Sequence, residues 1–413
     1  MVDESRKLSF EFYDKYSSQL IKEAMVKRIL LNGANLTGLG AKAIFSGIIP
    51  ALVNTMQDIE FLILLPEEDV FITMVFPSNS RVLYIKRRKK RNILSAMDRF
   101  WQLTIDIPSI AKREKANLVF SLGDLSPAFS NCPRIAYVHQ SMLVYEDNEI
   151  AGMRGWSNFE KFFITNYFFW TSHHQNFIVQ TGVMKERLAR KYRINKDRID
   201  IIPQAIPIHV SKNVDKNDTL AMIADCGKPI RLLFLSAYYP HKNHAILPKV
   251  ADELRREKLT SKVHIFTTLS DEQESSKAIR QEINLYGDVI TNLGHLDEAS
   301  VAAALRSSTA LFLPTLIESF GNIYIEAMEV GLPILTSDLD FAHWVCDELA
   351  LFFDPFSAIS IVDSIKKLPA FLNHLSDYQD AAKANLARFP RDQQVGAEKM
   401  AAVLRKVMEQ RVP

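Results

Sequence analysis

Short apolar segments alternate with segments of helical periodicity along most of the chain. The apolar segments are rich in Ile, Leu, Val and Phe, which is typical of strands buried on both faces of a parallel sheet. Two sets of such strands predict an α/β protein with two doubly wound, Rossmann-like domains. The predicted strands are Arg28–Leu31, Phe61–Leu65, Leu118–Ser121, Arg134–His139 and Asn176–Gln180 in the first set, and Ile230–Ser236, Lys262–Thr268, Leu311–Pro314 and Ile334–Thr336 in the second.

A segment with the composition of a linker separates the two sets. Pro203 and Pro207 precede a polar stretch at residues 211–218, and prolines followed by polar residues are typical of connections between domains. We therefore predict an N-terminal domain at residues 1–207 and a C-terminal domain at 208–390. Residues 391–413 carry apolar side chains at helical spacing and predict a terminal helix that packs back on the N-terminal domain.

The composition is that of a globular protein without a membrane span. The chain has 413 residues, of which 47% are hydrophobic and 24% charged, so it can bury two large cores. Cys132, Cys226 and Cys346 lack the spacing of a disulfide framework or a zinc site. No apolar run approaches the roughly 18 residues of a transmembrane helix. We therefore expect a cytoplasmic protein.

The charge is distributed unevenly along the chain. The formal net charge of +2 combines a basic first half, residues 1–207, with an acidic second half. The sharpest basic feature is the run Lys86–Arg91, which contains six consecutive Lys and Arg residues. This run is either a solvated segment or a patch for anionic lipid head groups or a phosphorylated acceptor. It lacks interleaved aromatic residues, so we expect no nucleic-acid partner.

Five aromatic residues of the first domain lie at helical spacing on one predicted helix. They recur at steps of three and four, and a stripe with this spacing is more often part of a core than of a ligand site. The members are Phe159, Phe162, Phe163, Tyr167 and Trp170.

The stretch after Leu311 has the composition of an anion-binding loop. A predicted strand ends at Pro314, a loop with Glu318 and Gly321 follows, and a helix then carries Glu326. Backbone N–H groups at a helix start attract anions, and carboxylates accept hydrogen bonds from vicinal hydroxyls. The pattern favours a sugar nucleotide, although two glutamates eight residues apart are, by themselves, more often solvated helix residues.

This stretch, ESFGNIYIEAMEVGLPILTSD, resembles the nucleotide-sugar motif of the retaining family 4 glycosyltransferases of the GT-B fold. The family's mark is two glutamates separated by seven residues around a Phe-Gly pair, which Glu318 and Glu326 reproduce. Further similar segments occur in the same order between residues 28 and 360. The resemblance implies two Rossmann-like domains facing a central cleft, the first binding the acceptor and the second the nucleotide sugar. The further segments are LNGANLTGLGAKAIF, AYVHQ, IVQTGVMKERL, IIPQAI, LFLSAYYPHKNHAIL and NLGHLDEASVAAALRSSTALFLPT.

The resemblance also implies roles for individual residues. Glu326 would hold the ribose hydroxyls, Glu318 the hydroxyls of the donor sugar, and Lys242 the departing diphosphate. His139 would face the donor sugar from the first domain, and Leu296 would contact the base through its backbone. Backbone contacts to the sugar and phosphates are implied for Phe320, Gly321, Asn322 and Ile323, and contacts to the phosphate for Gly38 and Gly40.

One position departs from the family pattern. The family usually has an Arg five residues before the Lys, and here that position is Ala237. Arg231, His241 or a tyrosine hydroxyl could replace the missing group, and we favour His241 as a neutral hydrogen-bond donor. The Asp338-Leu339-Asp340 string matches a metal-binding string of transferases of another fold. We interpret it as a coincidence, and expect neither a metal nor another cofactor.

The resemblance thus implies a metal-independent, retaining hexosyltransferase. It would move a sugar from a nucleotide-diphosphate sugar to a glycan or lipid-linked glycan, in bacterial surface polysaccharide synthesis such as that of lipopolysaccharide or capsule. Without a membrane span, it would work in the cytoplasm or at the inner face of the plasma membrane. Within the fold, the alternatives are a sugar-nucleotide epimerase and a phosphorylase. Outside enzymes, the alternative is a catalytically silent binding subunit or scaffold, which Ala237 favours.

Overall fold

The computed structural model describes residues 26–36, 47–67, 75–86, 93–146, 148–149, 158–206 and 218–410. Its described residues fall into two compact units. Those of Met1–Val138, Phe162–Ile178 and Ala397–Pro413 form the first unit, and those of His139–Lys161 and Val179–Gly396 form the second. The expected domain boundary near residue 208 lies outside the described residues.

The described strands form two sheets, as the apolar pattern predicts. All nine predicted strands are present, with ends that differ by at most two residues from the prediction. The first sheet has the order β3-β2-β1-β4-β5-β6-β7. Its strands are β1 (Lys27–Asn32), β2 (Ile59–Pro66), β3 (Ser80–Ile85), β4 (Leu118–Ser121), β5 (Arg134–Val138), β6 (Asn176–Val179) and β7 (Ile199–Ile201).

The second sheet has the order β10-β9-β8-β11-β12-β13, and each neighbouring pair is parallel. The order reverses between β8 and β11, and in such sheets ligands bind beyond the carboxyl ends of the strands at the reversal. The strands are β8 (Ile230–Phe234), β9 (Val263–Thr267), β10 (Ile290–Asn292), β11 (Ala310–Leu313), β12 (Ile334–Ser337) and β13 (Ala350–Phe353).

Helices connect most of the strands, as doubly wound sheets require. Side chains cap the N-termini of the helices that follow Thr181, Asp297, Ser357 and Asp392. The described α-helices are α1 (Ile48–Thr55), α2 (Ile93–Trp101), α3 (Ile107–Arg113), α4 (Ser141–Val144), α5 (Asn158–Ser172), α6 (Gly182–Tyr192), α7 (Asp218–Ala224), α8 (Leu247–Arg256), α9 (Lys277–Ile283), α10 (Glu298–Ser307), α11 (Asn322–Glu329), α12 (Asp340–Cys346), α13 (Ala358–Leu372), α14 (Leu375–Leu386) and α15 (Gln393–Met408).

The terminal helix α15 is the predicted one. From Ala397 onward this helix is part of the first unit. Arg405 on α15 makes a bidentate ion pair with Asp58, with N–O distances of 2.8 and 2.5 Å. A paired fork of this kind fixes the orientation of both groups.

The aromatic stripe on α5 departs from the core prediction. Tyr167 is buried, but Phe162 and Trp170 are 69% and 53% exposed. The prediction was therefore wrong for Phe162 and Trp170. The physical reason is that α5 is apolar on several sides, so only the side with Ile164 and Phe168 is buried. The side chain of Phe159 lies outside the described residues.

No helix in the described part of the chain has the length and apolar character needed to cross a membrane.

Candidate functional site

A buried ion pair joins two loops at the carboxyl end of the second sheet. Strand β8 is followed by a 3₁₀ turn, Pro240–Lys242, and β11 by the loop that contains Glu318. The Nζ of Lys242 lies 2.5 Å from Oε1 of Glu318, and the two side chains are only 19% and 11% exposed. The structure thus brings together the predicted phosphate and sugar residues. It does so because β8 and β11 are neighbours at the point where the strand order reverses.

Thr315 connects these two loops by hydrogen bonds. Its hydroxyl lies 3.1 Å from Oε1 of Glu318 and 3.2 Å from the carbonyl oxygen of His241. The same carbonyl accepts a hydrogen bond from the backbone N–H of Leu316, at 2.8 Å. The position of the Glu318 carboxylate is therefore set by the backbone of the neighbouring loop as well as by Lys242.

Helix α11 begins beside this pair with an open N-terminus. Gly321 precedes it in the left-handed conformation, with φ of +80°, and no side chain caps the helix. A Cβ at Gly321 would lie 2.7 Å from the ring of Tyr324, so the turn requires glycine. The N–H groups of the first turn, which includes Asn322 and Ile323, therefore have no side-chain cap, at the positive end of the helix dipole.

The side chain of Phe320 anchors the turn before α11 in the core. Its side chain is buried and meets Phe389 edge to face, with ring centroids 5.5 Å apart. The aromatic side chain thus belongs to the core, and what Phe320 offers to a ligand is its backbone.

Glu326 lies two turns into α11, at the predicted spacing from Glu318. Its side chain is half-buried, and this burial raises the pKa of Glu326 to about 7. A carboxylate in such a place can accept hydrogen bonds from a ligand that offers a pair of hydroxyl groups.

The position of Arg231 excludes it as a replacement for the arginine missing at position 237. Arg231 donates to the carbonyl oxygens of Ser307 and Lys228 near the start of β8, at the opposite end of the strand from the site. The suggestion that Arg231 replaces the missing group was therefore wrong. Strand direction makes the difference, since a residue at the start of β8 cannot reach the loop that follows its end.

His241 lies in the 3₁₀ turn beside Lys242, stacked against the ring of Tyr239 at 5.5 Å. Burial, and secondly the charge of Lys242, lower the pKa of His241 to about 4. The imidazole is therefore neutral at pH 7 and can act as a hydrogen-bond donor but not as a fixed cation.

The loop with Leu296 follows β10 at the same end of the sheet. Asn292 fixes it, because its side-chain oxygen accepts a hydrogen bond from the N–H of Leu269 (2.8 Å) while its amide nitrogen donates to the carbonyl of Leu269 (2.9 Å). Gly294 allows the turn with a φ of +77°. The start of this loop is thus joined to the loop at Leu269 by a side chain that the sequence analysis did not single out.

His139 follows β5, as predicted. Its Nδ1 lies 3.4 Å from the amide nitrogen of Gln180, and the next residue, Thr181, donates to the carbonyl oxygen of Ser319 at 3.2 Å. This chain of contacts connects His139 to the loop that carries Glu318.

Both carboxylates of the Asp338-Leu339-Asp340 string contact protein groups. Asp338 pairs with His343 at 2.6 Å, and Asp340 pairs with Arg187 at 2.7 Å. Among the described residues, no three His, Cys, Asp or Glu side chains cluster in a way that could hold a metal ion.

Some predicted positions lie outside the described residues. These are Gly38, Gly40 and residues 87–91 of the basic run, of which only Lys86 is described.

Sequence reasoning missed the residues that hold the site together. Thr315 lies two residues after the end of the apolar strand β11, and Asn292 is the last residue of the short strand β10. That signal is available in the sequence, but it is common to many strand ends. The role of Tyr324 could not be predicted from the sequence, because only the left-handed turn at Gly321 places its ring beside that glycine.

Residues 229–370 match the protein family described as Glycosyl transferases group 1. The matched segment contains Lys242, Glu318 and Glu326, whereas His139 lies outside it. The chain is also similar to the O-antigen chain mannosyltransferase RfbU of Salmonella typhimurium, with 23% identity over 201 residues. The match covers 47% of this chain and about half (52%) of that relative.

Two solved structures share the fold of this protein over nearly the whole chain. A glycosyltransferase from Rickettsia africae superimposes with a TM-score of 0.67 and 13% identity, covering 94% of this chain and 100% of that one. HepE from Anabaena, solved in complex with UDP-glucose, has a TM-score of 0.65 and 14% identity, covering 92% and 99%. The predicted GT-B fold is thereby confirmed, with its two parallel Rossmann-like sheets.

Proposed function

We propose that this protein is a retaining glycosyltransferase that moves a hexose from a nucleotide-diphosphate sugar to a glycan or lipid-linked glycan. The observation that carries the proposal is the ion pair of Lys242 and Glu318 beside the uncapped N-terminus of α11, with Glu326 half-buried on the same helix. These groups supply what a sugar nucleotide needs: a cation, backbone donors and two carboxylates.

Each group has a defined role in donor binding. Glu326 accepts hydrogen bonds from the two ribose hydroxyls, and Glu318 accepts them from hydroxyls of the donor sugar. The backbone of residues 320–323 contacts the sugar and the phosphates, and the backbone near Leu296 contacts the base. HepE, which shares this fold, was solved with UDP-glucose, and this supports a donor of that class.

Donor binding changes the Lys242–Glu318 pair. Without a donor, each side chain neutralises the other at 2.5 Å. A diphosphate adds negative charge, so Lys242 turns toward it and Glu318 is freed to accept hydrogen bonds from the sugar. His241, neutral at pH 7, donates a hydrogen bond to the phosphate in place of the arginine that the resembled family pattern has at the position of Ala237.

The reaction depends on stabilising the leaving group. As the bond to the anomeric carbon breaks, negative charge grows on the diphosphate, and Lys242 and the N-terminus of α11 neutralise it. The acceptor attacks from the same face, its proton passes to the departing phosphate, and the anomeric configuration is retained. Glu318 acts as a positioning and electrostatic group. Because Lys242 and the helix supply the positive charge, the reaction needs no metal.

The acceptor belongs to surface polysaccharide synthesis. The similarity to an O-antigen chain mannosyltransferase supports a glycan or lipid-linked glycan, and the basic run Lys86–Arg91 suits a site of action at the inner face of the membrane.

Ligand-dependent thermal stability tests the donor proposal. The wild type is heated with UDP, GDP, ADP or dTDP, and one nucleotide is expected to stabilise it by about 2.7 kcal/mol at 100 times its Kd. Glu326→Ala is expected to abolish this stabilisation. Glu329→Ala is the matched control, because Glu329 lies on the same helix but is exposed. If no nucleotide and no nucleotide sugar stabilises the wild type, the alternative of a silent binding subunit takes the place of this proposal.

A further inference from the structure

The first unit carries a cluster of exposed apolar side chains on neighbouring elements. Helix α2, the π-helical turn Gln102–Asp106 that continues it, helix α5 and the loop before β5 contribute to it. Large side chains that stay exposed together mark interaction surfaces in soluble proteins. We call these residues the aromatic surface; they are Met97, Phe100, Trp101, Ile105, Phe129, Phe162, Phe169 and Trp170.

Ring contacts connect the elements of the aromatic surface. Phe100 on α2 meets Phe163 on α5 edge to face at 5.8 Å. At the other end of α5, Trp170 meets Phe129 at 5.5 Å. Tyr167, which is buried, contacts both Phe100 and Trp170. The exposed rings of Phe100 and Trp170 thus both contact the buried ring of Tyr167, which supports the surface from the protein interior.

The same part of the chain is strongly basic. Residues 86–113 contain nine Lys and Arg against two Asp. Lys86 follows β3, and its carbonyl oxygen accepts a hydrogen bond from the side-chain amide of Gln102 at 2.9 Å. The start of the basic run is therefore fixed beside the turn that carries Ile105.

We propose that the aromatic surface docks on an anionic lipid bilayer. Trp and Phe side chains are favoured at the level of the lipid head groups, and Lys and Arg residues near an anionic membrane each contribute on the order of 1 kcal/mol. A second copy of the chain is a poorer occupant, because a two-fold contact would bring the same basic segments of both copies together. This docking gives the proposed transferase access to a lipid-linked acceptor and so deepens the proposed function, but vesicle binding does not itself depend on donor chemistry.

Vesicle binding tests the proposal. Vesicles of equal parts phosphatidylglycerol and phosphatidylcholine are expected to bind the wild type at least tenfold more tightly than vesicles of phosphatidylcholine alone. The triple variant Trp101→Ser, Phe162→Ser, Trp170→Ser keeps every charge and is expected to bind the anionic vesicles at least tenfold more weakly. The control is the double variant Leu285→Ser, Phe356→Ser, which removes exposed apolar side chains from the second unit and is expected to bind like the wild type.

A second measurement needs no variant of the surface. Trp101 and Trp170 are expected to enter the head-group region, so vesicles with brominated acyl chains should quench the tryptophan fluorescence of the wild type. Equal vesicle binding by the wild type and the triple variant, together with no quenching, would overturn the proposal. So would loss of a wild-type dimer in the triple variant without any change in lipid binding. Nucleotide-dependent stabilisation of the triple variant shows whether the donor site is intact, which separates failure of docking from failure of the proposed function.

Discussion

Lys242 and Glu318 lie 76 residues apart in the chain, yet Nζ of one approaches Oε1 of the other to 2.5 Å. The pair is largely shielded from solvent, so removal of either partner leaves the other charge poorly compensated. The glutamate proposed to bind the sugar therefore fixes the position of the lysine proposed to bind phosphate. This relationship makes the two residues a coupled unit.

Replacement of Lys242 is expected to impair both stability and catalysis. Lys242→Gln removes the charge that neutralises the leaving group, so kcat/KM is expected to fall about 10²–10³-fold. The ligand-free variant is expected to melt at a lower temperature, because Glu318 loses its partner. Lys249→Gln, an exposed position on the following helix α8, is the control. Unchanged kcat/KM in Lys242→Gln would contradict the assignment of this lysine.

The pKa of Glu326, raised to about 7, predicts a pH dependence of stability. The folded protein holds this proton more tightly than the unfolded chain does, so the contribution is complete below about pH 4.5 and is lost as the pH rises through 7. Glu326→Gln is expected to reduce the decline in the free energy of unfolding between pH 4.5 and 8 by about 3 kcal/mol. Denaturant titrations across this range measure it, with Glu329→Gln as the control.

The same ionisation predicts the pH dependence of donor binding. The ionised carboxylate of Glu326 accepts hydrogen bonds from both ribose hydroxyls, so nucleotide affinity is expected to rise about tenfold between pH 6 and 8. Calorimetric titration measures the Kd at each pH. Glu326→Gln is expected to give weaker binding with a smaller pH dependence, and an identical dependence in the variant would assign it to another group.

Two glycines with positive φ separate backbone strain from steric conflict. Gly294→Ala carries only the cost of the left-handed conformation, about 1 kcal/mol, because nothing lies within 4 Å of its Cβ position. Gly321→Ala carries a similar backbone cost and also a conflict with Tyr324, so it is expected to be more destabilising. The double variant Gly321→Ala, Tyr324→Leu is expected to recover part of that difference. Thermal unfolding of the three variants decides the matter.

Restoring an arginine at position 237 tests the phosphate site. Ala237 is exposed in the loop after β8, so Ala237→Arg can be accommodated without displacing core residues. The added cation is expected to lower the Kd for the nucleoside diphosphate about tenfold, with a larger effect at low salt. Arg231→Gln is a useful comparison, since Arg231 lies near the start of β8 and is not expected to affect the Kd. No gain in Ala237→Arg would place the phosphates elsewhere.

The strand pattern and the glutamate spacing could be predicted from the sequence because both are local. A short buried strand such as Leu118–Ser121 carries its own signal, and Glu318 and Glu326 lie on one loop and the helix that follows. Shorter strands were missed, including β7 (Ile199–Ile201) and β10 (Ile290–Asn292), because three residues give too little periodicity.

The sequence by itself determined the two parallel sheets, the position of the loop proposed to bind anions and the likeness to nucleotide-sugar transferases. Only the tertiary structure decided that Lys242 pairs with Glu318, that Arg231 lies at the wrong end of its strand, and that Phe162 and Trp170 are exposed. The physical reason is common to all three. Which loops meet and which helix face is covered depend on the order of strands in the sheet and on what packs against each helix, and these long-range relations leave no mark on a local pattern.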